Sequence, residues 1–262
     1  MNFSELKQFL DEKVILYNHP EFIESDPIQI PHRFHLKEDI EISGFLAATM
    51  AWGNRKMIIS KAADLMNRMG NSPYDFVMNY SDDEFDKIET FKHRTLNSID
   101  LDFYLKSLRN IYENHGGLET TFKFEKSHPD SFHAIENFRS RFLETPHLAR
   151  SEKHLSSPAK NSAAKRLNMF LRWMVRNDNQ RVDFGIWKNI LPAQLVCPLD
   201  VHSGNVARKL GLLKRKQNDW KAASELHLNL KKLDSGDPVK YDFALFGLGV
   251  FEHFSKTHIL QN

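Results

Sequence analysis

The sequence predicts an all-α fold. Three observations carry this: glycines are few (11 in 262 residues), β-branched runs are short, and apolar residues recur at three- and four-residue spacing. That spacing is the period of a helix with one buried face. Start and stop signals then divide the chain. A first helix runs from Ser4 to about Tyr17, stopped by His19-Pro20. Residues 25–36, with Asp26-Pro27 and Pro31, read as a loop. Helices follow over Glu38–Trp52 and Arg55–Met69, separated by Gly53-Asn54, which can adopt the left-handed conformation that ends a helix. Ser72-Pro73 and Ser81-Asp82-Asp83-Glu84 are further helix starts. Amphipathic segments span Asp100–Asn114 and Pro129–Leu143.

Residues 144–162 are polar and irregular and form the best linker. The expected division is a helical lobe over 1–157, which C-terminal helices can complete, and a second helical lobe over 158–262. The most regular helix is Ser162–Arg176, where Ala163, Ala164, Leu167, Phe170, Leu171, Met174 and Val175 make one apolar arc. Lys165, Arg172 and Arg176 fall in a narrow stripe opposite it. Asp200 caps a helix over Val201–Leu210 that Gly211 ends, Asp219 starts another, and Asp237-Pro238 opens the last.

Charge and cysteine content narrow the function. The chain has a formal net charge of +2, but this is a cancellation. Residues 158–220 carry 12 Lys/Arg against 4 Asp/Glu, while residues 1–157 carry 19 against 25. A local basic excess is the usual footprint of a phosphate-rich partner, although a solvated basic surface has the same composition. The single cysteine, Cys197, excludes an intramolecular disulfide framework, a four-cysteine zinc site and an all-cysteine iron–sulfur cluster. No apolar run approaches the roughly 20 residues of a membrane span. Met1–Glu5 lacks a secretory pattern, so the expected compartment is the cytoplasm, with no membrane partner. The histidines are scattered; His32 and His35 have no partner motif, and neither a metal nor a cofactor is expected.

The most informative stretch is Leu199-Asp200-Val201-His202-Ser203-Gly204-Asn205-Val206-Ala207-Arg208-Lys209-Leu210-Gly211. It resembles the catalytic-aspartate segment of the helix-hairpin-helix DNA glycosylases, the endonuclease III group. Asp200 matches the catalytic aspartate, His202 the following histidine, Arg208 the helix arginine and Leu210-Gly211 the closing turn. Lys165, at a helix start upstream, matches the nucleophilic lysine of the lyase-active members. Trp52-Gly53-Asn54-Arg55 would occupy the superfamily's DNA-probing loop. Two departures stand out. Asn161-Ser162-Ala163-Ala164 replaces the usual glycine-rich hairpin, and 35 residues separate Lys165 from Asp200. Both look like the archaeal 8-oxoguanine DNA glycosylase branch. The chain also resembles an uncharacterised bacterial family of unknown function, through Arg172-Trp173-Met174-Val175-Arg176 and Asp237-Pro238-Val239-Lys240-Tyr241-Asp242.

The resemblance implies a helix-hairpin-helix glycosylase-like fold, two helical lobes around a basic cleft. It implies a DNA repair glycosylase with abasic-site lyase activity, acting on duplex DNA with a damaged base, in one form an oxidised purine. Lys165 and Asp200 would be catalytic. Arg172, Arg176, Arg208, Lys209, Trp52, Asn54 and Arg55 would contact DNA, and His202, Trp173 and Asp242 would support the site. The chemistry is coherent on its own terms. Removing a base builds positive charge on the sugar, which a carboxylate stabilises, and a neutral amine can attack the sugar carbon. An ordinary lysine is protonated at neutral pH, and a helix start beside other cations favours losing that proton. The residues alone also fit a solvated lysine, a plain N-cap aspartate, a hydrogen-bonding histidine and core tryptophans. They equally fit a non-catalytic nucleic-acid-binding module or a helical protein-interaction domain.

Overall fold

The computed structural model describes residues 1–125 and 128–254. Among these residues are thirteen α-helices: α1 Phe3–Tyr17, α2 Glu21–Glu24, α3 Lys37–Met50, α4 Arg55–Arg68, α5 Pro73–Asn79, α6 Phe85–Ile88, α7 Ser98–Asn114, α8 Leu118–Thr121, α9 Phe132–Phe142, α10 Lys165–Val175, α11 Val201–Lys209, α12 Trp220–Leu233 and α13 Tyr241–Val250. The protein is therefore mostly helical. Residues 25–36 differ from a plain loop, because prolines at 27 and 31 each open a 3-10 turn. A short antiparallel hairpin, β1 Lys92–His93 and β2 Leu96–Asn97, is too brief for sequence alternation to reveal. No described helix is long and apolar enough to cross a membrane.

The chain forms two compact units. One comprises residues 23–128 and 132–157; the other comprises 1–22, 129–131 and 158–262, of which 255–262 lie outside the described residues. The division falls at Ser157/Pro158, where the composition changes. Residues 1–22, which the sequence places with the first lobe, belong instead with 158–262.

In the 23–157 unit, α3 is buried from Ile40 to Met50 and serves as the central post. Phenylalanines fill the space beside it. Phe45 meets Phe138 edge-on at 5.4 Å, and Phe122 stacks on Phe138 at 4.1 Å. α7 starts with a reciprocal cap between Asn97 and Asp100, and the buried Asp100 also accepts from Ser151 Oγ at 2.7 Å.

In the other unit, α13 is buried along most of its length and packs against both α1 and α11. Two glycines permit this. A Cβ on Gly247 would stand 2.1 Å from the Tyr17 ring, and one on Gly249 would stand 3.1 Å from His202 Cβ. Polar ties fix the ends: Tyr241 Oη donates to Asp11 at 2.9 Å, and Lys13 pairs with Glu252 at 2.7 Å. α10 is buried on every side from Leu167 to Val175.

Candidate active site

α10 starts three residues later than the apolar arc predicts. Ala163 and Ala164 are not helical; Ala164 is the N-cap, in the left-handed region at φ 46°. A buried asparagine holds this bend. Asn168 Nδ2 donates to Ala163 O at 3.1 Å, and its Oδ1 accepts from Ser131 Oγ at 2.8 Å. The preceding turn is fixed by Trp220 N–H donating to Asn161 O at 3.2 Å and by Asn161 Nδ2 donating to Asp219 at 3.1 Å. Lys165 is thereby the first residue of α10.

Asp200 is the N-cap of α11. Its Oδ1 accepts from His202 N–H at 2.9 Å and Ser203 N–H at 3.0 Å, while Ser203 Oγ accepts from Asp200 N–H at 3.0 Å. Asn218 Nδ2 donates to the Asp200 carbonyl at 3.1 Å. With Oδ1 committed to the cap, Oδ2 faces Lys165 Nζ at 3.9 Å, and each side chain is 29% exposed. Lys165 Nζ also lies 3.8 Å from Met169 Sδ. Two helix starts thus aim an amine and a carboxylate at each other in a place that solvent reaches.

Behind the pair lies a buried charge network. Arg172 bridges Asp183 (3.2 Å) and Asp242. Arg176 bridges Asp178 (2.7 Å), Asp183 (3.2 Å) and Asp237 (2.9 Å). The Arg172 guanidinium also lies over the Phe243 ring at 4.3 Å. Burial pushes the Asp242 carboxyl up to about 6, against the opposing pull of Arg172 and Lys165. Burial likewise raises the Asp183 and Asp237 carboxyls, despite their arginines. The Cys197 thiol, 3.9 Å from Asp242 Oδ1, is pushed up by the same burial and by the Asp242 charge.

These observations correct the expected DNA contacts. Arg172 and Arg176 do not lie on a solvent-facing stripe; their side chains are 4% and 3% exposed and saturated with aspartates. Two of those aspartates, Asp237 and Asp242, lie outside the 158–220 window, so part of its basic excess is neutralised from elsewhere in the sequence. Arg208 is spent internally: Nε donates to Arg215 O at 2.8 Å and Nη2 to Asn218 Oδ1 at 2.6 Å. Lys209 donates to Phe254 O at 2.7 Å and lies over its ring. Trp173 is fully buried, so its support of the site is packing, and it cannot stack on a base. His202 is exposed at the first turn of α11. Lys214 and Lys216, in the loop that Arg208 and Asn218 organise, are exposed.

In the other unit, Trp52 is half-buried, and the Arg94 guanidinium covers its ring at 4.1 Å. Asn54 caps α4 by accepting from Met57 N–H at 3.1 Å, and Arg55 is the first residue of that helix. Sequence reasoning missed Asn168, Ser203, Asn218 and Asp183. Only Ser203 had a signal, its place three residues after a capping aspartate. Among the described residues, no three His, Cys, Asp or Glu side chains are grouped to hold a metal ion.

The fold and the site together define a mostly helical protein with a lysine–aspartate pair mounted on two helix starts over a buried charge network. The chain belongs to the family described as "Protein of unknown function (DUF2400)", whose model matches residues 26–251. It matches no curated protein and no solved structure.

Proposed function

We propose that this protein is a DNA glycosylase with associated abasic-site lyase activity, in which Lys165 is the nucleophile and Asp200 its carboxylate partner. The observation that carries the reading is the 3.9 Å approach of Lys165 Nζ to Asp200 Oδ2. A part-exposed ion pair contributes little to stability, about 0–1 kcal/mol. Two separately braced helix starts that converge on such a pair are better accounted for by chemistry than by folding.

In this reading a damaged nucleotide turns out of the duplex and its C1′ is presented to Lys165. Asp200 takes a proton from the paired Lys165 ammonium, and the freed amine bonds to C1′ as the glycosidic C–N bond breaks, the bonding pair leaving with the base. Asp200 passes that proton to the departing base and, ionised again, stabilises the positive charge on the sugar. Ring opening breaks C1′–O4′ as one proton of the C1′-bound nitrogen moves to O4′, which gives the protonated imine. Loss of a C2′ proton then expels the 3′ phosphate strand, and water returns the free lysine. The exposed Lys214 and Lys216 are suited to the backbone phosphates beside this site, because Asn218 ties their loop to Asp200.

The test uses duplexes carrying 8-oxoguanine, uracil or an abasic site. Released base and strand cleavage are expected on at least one. Lys165→Gln removes the cleavage, and Asp200→Asn slows single-turnover release by about 100-fold or more. No released base and no cut abasic site on any duplex rejects the enzyme reading. DNA binding without either reaction leaves a nucleic-acid-binding module.

A further inference from the structure

The hairpin tip at Arg94 carries a feature the reaction does not use. β1 and β2 are joined by a two-residue loop, Arg94-Thr95, in the register His93 to Leu96. Such a turn needs a positive φ at its first residue, where glycine or asparagine is favoured. Here an arginine takes that conformation, at φ 57°. A side chain kept at a strained position points to a role for that side chain.

The surroundings fit the guanidinium. It lies over the Trp52 ring at 4.1 Å, and a Cβ on Gly53 would come within 2.3 Å of Nη1. Gly53 is therefore what lets the guanidinium rest there. Arg150 braces the turn by donating to Thr95 O at 3.2 Å. A guanidinium packed by its face keeps its edge donors outward, in the fork that suits phosphate oxygens.

The two stretches that meet at the Arg94–Trp52 contact are rich in basic residues. Arg55 and Lys56 come from the start of α4, and Lys92 and Arg94 from the hairpin; Lys61, farther along α4, pairs with Asp64 at 3.7 Å. No acidic residue occurs from 42 to 63 or from 90 to 99. Lys56, Lys92 and Arg94 are exposed, and no carboxylate pairs with them among the described residues. The part of the chain that is acidic overall thus holds a basic spot built on an aromatic platform.

We propose that the β1–β2 tip and the start of α4 form a second phosphate-binding surface that holds a nucleic-acid backbone, with Arg94 as its preset contact. The choice of partner rests on the glycosylase reading; the surface itself stands on the residues of the 23–157 unit alone.

The test is binding of a short undamaged DNA duplex, followed by fluorescence anisotropy over a KCl series. Arg94→Gly, Lys56→Gln and Lys92→Gln should each lower the slope of log affinity against log salt by about one. Affinity at fixed salt should fall several-fold with each. Arg94→Gly is the decisive variant, because glycine suits the turn and the thermal midpoint should not drop. Wild-type slope and affinity in all three variants would overturn the proposal. Equal Arg94-dependent binding to polyglutamate would also overturn it, in favour of an unspecific polyanion surface. If wild-type protein binds DNA through Arg94 yet releases no base and cuts no abasic site, the surface stands and the glycosylase reading falls. If it cleaves DNA and the three variants bind normally, the reverse holds.

Discussion

Asp200 does two jobs with two oxygens. Oδ1 caps α11 and Oδ2 faces Lys165, so the roles are separable by substitution. Asparagine caps a helix about as well as aspartate does. Asp200→Asn should therefore change stability by no more than about 0.5 kcal/mol while the proposed reaction collapses. Equal losses in both, read by urea titration and single-turnover rate, would mean that Asp200 only caps. Asp242 makes a pH prediction. Its carboxyl, raised to about 6 by burial, holds a proton more tightly in the folded than in the unfolded chain. Its contribution to stability is thus fully present below the ordinary carboxylate pKa and is lost as pH rises through about 6. Wild-type protein should lose about 1 kcal/mol relative to Asp242→Asn between roughly pH 5 and roughly pH 7. A difference that stays flat with pH would show that burial does not raise this group.

At the scale of elements, the site depends on where α10 begins. Asn168 holds the Ala163 carbonyl from inside the helix, and Ser131 from a distant segment completes the contact. Asn168→Ala removes both bonds at a buried position and should cost about 2 kcal/mol. It should also weaken the chemistry assigned to Lys165, because the first turn loses its anchor. A stable variant with full activity would contradict that dependence. Much of this element plan is legible in the sequence. The capping aspartates at 200 and 219 and the terminating Gly211 mark helix ends directly. The left-handed Ala164 has no such mark, because alanine is a good helix former and its bend is imposed by Asn168 and by the Asn161–Trp220 contact. The two buried arginines are illegible for a related reason: helical periodicity gives their angle on the expected 162–176 helix but not the aspartates, up to 70 residues away, that let charge be buried. The hairpin holding Arg94 is hidden by its two-residue strands.

For the whole molecule, the unit that carries the site is closed by the start of the chain. α1 packs on α13, and α13 supports α11 and hence Asp200. Composition draws a boundary at 157/158 but cannot assign residues 1–22 across it, since that depends on a Tyr17 ring fitting where Gly247 has no side chain. Gly247→Ala should cost about 1–3 kcal/mol through overpacking, measurable as a lowered denaturation midpoint. An unchanged midpoint would mean that α1 yields without cost. The near-neutral net charge likewise resolves into parts: arginines neutralised inside one unit, and exposed cations at Lys214, Lys216, Lys56, Lys92 and Arg94.

In the proposed reaction Lys165 bonds covalently to the sugar. Borohydride reduction during reaction with abasic-site duplex, followed by peptide mapping of the trapped species, tests it most directly. One adduct is expected, on the peptide containing Lys165, and it disappears in Lys165→Gln. Strand cleavage with the adduct on another lysine would contradict it.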